Sequence, residues 1–135
     1  MPIWNKEAEC ASNEARQKLQ LERLQRIVER VYSRVPFYRN KLEGAGVTPD
    51  SIGSLKDIAK IPFTSKYELR ETYPYGLLAC DKSELVEIHT SSGTTGTPVV
   101  GAYTEADIDM WSDVMARTLS MAGCVKGDTV QNGYG

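Results

Sequence analysis

Between Ser12 and Val35 the apolar residues Leu21, Leu24, Val28, Val31 and Val35 recur at alternating intervals of three and four, which places them on one face of an α-helix. Ser12 can cap the N-terminus of that helix, and Glu14 suits the partial positive charge of its first turn. The stripe lasts about two heptads, short of the three or four that a coiled coil sustains, so the helix is expected to pack on its own domain. Pro36 ends it, because the residue before a proline is pushed out of helical geometry. The following FYRNKLEGAG reads as a short helix stopped by Gly44 and Gly46.

Further along, Ser54-Leu-Lys-Asp57 and Thr64-Ser-Lys-Tyr-Glu68 each set a capping hydroxyl before a helical turn carrying an acid. Residues 47–83 therefore read as loops and short helices, held by Ile52, Leu55, Ile58, Ile61, Phe63 and Leu69. Leu85-Val-Glu-Ile-His89 and Val99-Val-Gly-Ala-Tyr103 have the β-branched character of strands. Thr104-Glu-Ala-Asp107 opens a helix whose apolar face runs through Ile108, Trp111, Met115, Leu119 and Ala122. A third strand is expected from Thr129. With one helix and two or three strands, no closed α/β sheet can form, and the chain is expected to be a fragment of a longer protein.

Composition narrows the partners. The 135 residues include 16 Lys and Arg against 18 Asp and Glu, a formal net charge of -2, without a basic stripe. Nucleic acid and anionic membranes are not expected to bind. No apolar run approaches the roughly 20 residues of a membrane-spanning helix, and the opening MPIWNKEAEC has no signal-peptide core, so a cytoplasmic location is expected. Cys10, Cys80 and Cys124 are odd in number and far apart, and with a single His in the chain they read as reduced thiols rather than zinc ligands.

The densest run of hydroxyls and glycines is HTSSGTTGTPVV, residues 89–100, lying between the two expected strands. Backbone N–H groups near its glycines can turn inward to make an anion-binding concavity, and the hydroxyls add donors without fixed charge. The same composition also serves as a plain polar turn. A Walker loop is excluded: the nearest match, beginning at Gly96, has Ala102 where the lysine belongs, and a strand follows instead of a helix. No G-x-S-x-G elbow is present. His89 lies two residues from Ser91, but a lone His at a strand end reads as a packed or hydrogen-bonded residue rather than a general base. No carboxylate pair stands out, and Glu22, Glu29 and Glu43 read as solvated helix faces.

Taken in order, the segments resemble the phenylacetate-CoA ligase family of adenylate-forming enzymes. IHTSSGTTGTPVVGAYT looks like the superfamily's ATP-binding motif, while LQLERLQRIVERVYSRVPFYRNKL, IPFTSKYELRETYPYGLLA and DTVQNGYG resemble the phenylacetate branch. The resemblance implies an α/β fold, here incomplete: a helical N-terminal region over 1–83, then the start of an ATP-binding domain over 84–135. It implies ATP, Mg²⁺ and coenzyme A as substrates or cofactors, other small-molecule substrates, and a homodimer as the assembly to look for in the full-length protein. Ser91, Ser92, Gly93, Thr94, Thr95, Gly96 and Thr97 would bind the ATP phosphates, and Tyr134 and Gly135 would approach the aryl end of the acid. Two departures stand out. Thr97 occupies a position where many relatives have Lys, and Val99 replaces the second Lys of other acyl-CoA synthetases. The family's catalytic lysine and metal carboxylate have no counterpart in these residues, so the 135-residue chain is expected to be inactive alone. Two other readings are adenylyl transfer to a deazaflavin coenzyme and a non-catalytic assembly module.

Overall fold

A long helix is laid against the short elements that follow it in the sequence. The structure is a computed structural model, and it describes residues 2–92 and 96–133. The described elements are α1 (Lys6–Glu9), α2 (Asn13–Arg34), α3 (Pro36–Gly44), α4 (Lys66–Glu71), β1 (Leu85–Thr90), β2 (Val100–Thr104) and α5 (Glu105–Met121), with short 3₁₀ turns between. Among the described residues the chain is thus largely helical with one two-stranded antiparallel sheet. It divides into two compact units, Ser12–Glu105 and the pair of segments Met1–Ala11 and Ala106–Gly135. Among the described residues, no helix is long and apolar enough to cross a membrane.

In the first unit α2 begins at the expected cap: the Ser12 hydroxyl accepts from the Ala15 N–H at 3.1 Å. Its stripe is the core. Val28 and Val35 are buried, and Leu21, Leu24 and Val31 are half-buried. Pro36 sits in the first turn of α3, where its missing N–H and fixed φ suit a helix start. The far end of α3 closes with Gly46 at φ +67°, the Gly46 N–H donating to Glu43 and the Val47 N–H to Leu42. This pair of reversed bonds is a Schellman turn, and its hydrophobic contact is present as well: Leu42 and Val47 join Val28 and Ile52 in one buried cluster. The helix stop therefore lies at Gly46, with Gly44 inside the last turn.

Four N-terminal boxes follow along the chain. The Thr48, Ser54, Ser65 and Asp81 N–H groups donate to the side chains of Ser51, Asp57, Glu68 and Glu84. The cap of α4 is Ser65, while the Thr64 hydroxyl pairs with Tyr38 at 3.2 Å. Lys41 on α3 makes an ion pair with Glu68, tying α4 to the helical core. Ile52 is buried, and Leu55, Ile61 and Leu69 are half-buried as expected, whereas Ile58 and Phe63 are exposed, Phe63 at 98%. Short turns and irregular links impose no single inward face, so apolar character there does not specify burial.

The second unit holds α1 and α5. Asn5 caps α1 by accepting from the Ala8 N–H, and its amide also donates to Asp113, which is paired with Arg117 one turn further along α5. Those contacts draw the Asp113 carboxyl below its usual range, the Asn5 bond being the largest cause. Pro2, Ile3 and Trp4 line an open apolar groove of about 580 Å³ with Leu119, Val125 and Val130. The strand expected from Thr129 does not form. Residues 129–133 have no ladder neighbour among the described residues, and strand geometry without one leaves backbone groups unsatisfied.

Candidate functional site

The hydroxyl- and glycine-rich run is the connection of a β-hairpin. β1 and β2 pair antiparallel, with Glu87 opposite Tyr103, Ile88 opposite Ala102, His89 opposite Gly101 and Thr90 opposite Val100. A bulge between Leu85 and Glu87 breaks the register at the far end. Since side chains alternate across a strand, Glu87, His89, Gly101 and Tyr103 share one face.

That face explains His89. Its Nε2 contacts the Glu87 carboxylate, and its ring meets Tyr103 edge-on with centroids 5.3 Å apart. Gly101 makes the arrangement fit, because a Cβ there would stand 3.1 Å from the Tyr103 hydroxyl. His89 is therefore a hydrogen-bonded strand residue, as its position in the sequence suggested. The i, i+2 spacing of Glu87 and His89 was a readable signal for their pairing.

Beyond Thr90 and Val100 the ladder takes one more, modified step. The Ser91 N–H donates to the Val99 carbonyl at 2.9 Å, and the Val99 N–H donates to the Ser91 hydroxyl oxygen, also at 2.9 Å. Pro98 has no N–H, so Val99 carries the first backbone donor on the return side of the connection. Ser92, Gly96 and Thr97 are exposed, and Gly96 has φ +122°, a conformation that L side chains rarely adopt. Gly93, Thr94 and Thr95 lie outside the described residues, as do Tyr134 and Gly135. The structure thus places Ser91, Ser92, Gly96 and Thr97 together at one hairpin end. The partnership of Ser91 with Val99 was not foreseen, because it depends on strand register rather than on residue type.

Chemically, the described part of this connection offers neutral donors and no carboxylate, a composition suited to an anion. Among the described residues no group of three or more His, Cys, Asp or Glu side chains could hold a metal ion.

No family model matches the chain. It is 45% identical over 133 residues to a phenylacetate-coenzyme A ligase of Thermus thermophilus, covering 98% of this chain and 30% of that protein. A phenylacetate-coenzyme A ligase of Pseudomonas putida is 46% identical over 127 residues, covering 94% and 29%, and one of Escherichia coli is 43% identical over the same length. The chain spans about 30% of the length of the curated relatives it matches. Among solved structures it is similar to 2-hydroxyisobutyryl-CoA ligase in complex with 2-HIB-AMP and CoA, with a TM-score of 0.79 and 33% identity, over 87% of this chain and 26% of that one.

Proposed function

We propose, from the kinship of this chain with the phenylacetate-coenzyme A ligases, that it forms the N-terminal portion of an ATP-dependent ligase joining an aryl acid, phenylacetate or a close relative, to coenzyme A. The observation that carries this reading is 45% identity over 98% of this chain to a phenylacetate-coenzyme A ligase, and the likeness in fold, at TM-score 0.79, to a ligase crystallised with 2-HIB-AMP and CoA supports the adenylate and thioester steps. In the reaction, the acid's carboxylate attacks the α-phosphate of ATP, giving an acyl-adenylate and pyrophosphate. The coenzyme A thiolate then attacks the acyl carbon and AMP departs.

The role we assign to Ser91–Thr97, with Gly93, Thr94 and Thr95 included on sequence grounds alone, is to surround the β- and γ-phosphates. Hydroxyl and backbone N–H donors held in place there stabilise the charge that develops on the leaving pyrophosphate. Because these donors are neutral, the pyrophosphate is released without breaking an ion pair. Mg²⁺ would arrive complexed to ATP, as part of the substrate. Tyr134 offers the flat apolar face that a phenyl ring takes, beside Gly135. The division into a helical region over 1–83 and the start of the ATP-binding domain over 84–135, a cytoplasmic location and a homodimer of the full-length enzyme belong to the same reading.

A chimaera tests it. This chain replaces the matching N-terminal portion of the Thermus thermophilus ligase, and phenylacetate-dependent formation of AMP and thioester from MgATP and coenzyme A is measured. Activity is expected from the chimaera and none from the 135-residue chain alone. A chimaera that folds and binds coenzyme A yet forms no adenylate would sink the reading.

A further inference from the structure

The last step of the hairpin ladder is built with a side chain. After the Thr90–Val100 pair, a regular antiparallel strand pair would have Ser91 and Val99 exchange backbone bonds. Only one of the two is a backbone bond, from the Ser91 N–H to the Val99 carbonyl. The Val99 N–H goes to the Ser91 hydroxyl oxygen at 2.9 Å instead. The hydroxyl thus stands in for the carbonyl of its own residue. With its carbonyl excused from the ladder, the chain can turn away at Ser91 while its far end stays pinned at Val99. Pro98, without an N–H, leaves Val99 as the nearest donor to pin.

We propose that Ser91 is a positioning residue for triphosphate binding, its hydroxyl oxygen closing the base of the loop so that Ser92, Gly96 and Thr97 are held where phosphate oxygens meet them. This rests on the phosphate reading of Ser91–Thr97. This role adds to the contact assigned above: Ser91 acts through the Val99 N–H, whose bond to its hydroxyl oxygen fixes where Ser92, Gly96 and Thr97 stand. An alanine removes the acceptor and frees one end of the connection, whereas a threonine keeps the hydroxyl and suits extended backbone.

The test uses the 135-residue chain, its S91A and S91T variants, amide hydrogen exchange and a titration with MgATP followed by amide chemical shifts. In S91A, exchange at the Val99 amide is expected to accelerate about tenfold, the loss of one hydrogen bond, while the His89 and Gly101 amides, the next hydrogen-bonded pair of the ladder, stay as in the parent. The apparent affinity for MgATP, read at Ser92, Gly96 and Thr97, is expected to fall about tenfold in S91A and to return to within about threefold in S91T. Unchanged exchange at Val99 in S91A overturns the proposal, and so does faster exchange with unaltered MgATP affinity, which would leave Ser91 a purely structural role. MgATP that shifts none of these amides in the parent chain overturns the phosphate reading itself, and the positioning role with it.

Discussion

An ammonium and a hydroxyl hold a phosphate oxygen differently, and in the proposed phosphate loop Thr97 is where that difference would matter. A lysine brings a full charge and three donors, while threonine brings one neutral donor on a stiff β-branched stem. The Thr97→Lys variant is therefore expected to bind MgATP about tenfold more tightly, with an affinity that weakens as salt is added. Titration at two ionic strengths checks both parts. Glu68 supplies a second residue-scale prediction. The hydrogen bond from Lys41, and then those of the Ser65 cap, lower its carboxyl from 4.5 to about 2. A carboxyl depressed on folding adds stability above its unfolded value, and that contribution fades as pH falls from about 4.5 through about 2. Glu68→Gln is thus expected to lower the urea midpoint at pH 7 and to match the parent near pH 2. An equal gap at both pH values would mean that the ion pair contributes nothing.

Among the elements, α3 has the most clearly defined end. Gly46 holds φ +67°, and nothing lies within 4 Å of where its Cβ would be, so conformation alone requires glycine there. Gly46→Ala is expected to cost about 1 kcal/mol, measured by chemical denaturation, and Gly44→Ala, inside the helix, to cost nothing or to stabilise. Much at this scale was legible. The three-and-four stripe located α2 and its inward face, Ser12 marked its start, and alternation with β-branched residues located both strands within a residue of where they lie. Glycine spacing near 44–46 pointed to the turn but not to which glycine carries it, since that depends on the hydrogen bonds formed. Ile58 and Phe63 show where the reading ends: outside regular elements there is no period to say which way a side chain faces. The candidate site was half legible for a related reason. By composition the hydroxyls and glycines fit an anion loop or a plain polar turn alike, and the clamp between Ser91 and Val99 exists only once β1 and β2 settle into register.

At the scale of the molecule, a helix with a good apolar stripe leaves much of that stripe exposed. In α5, Trp111, Met115 and Leu119 lie on the one apolar face expected from the sequence, and all three are exposed, Trp111 at 42%. Periodicity reports which residues want cover, not whether cover is present among these residues. Such a face is expected to take up an apolar fluorescent dye, and Met115→Glu to reduce that uptake by interrupting the patch. The hairpin has a related exposure of its backbone. A sheet of two strands has no interior strand, so among the described residues β1 and β2 each turn one long side away from their single ladder neighbour. The bulge at one end of β1 blunts that side near Val86, but Ile88 is exposed where the pairing is regular. In concentrated solution the hairpin can therefore act as a seed, with one molecule extending the ladder of the next into a growing filament. Ile88→Lys would put a repelling charge at every rung, and the delay before light scattering rises should lengthen with it.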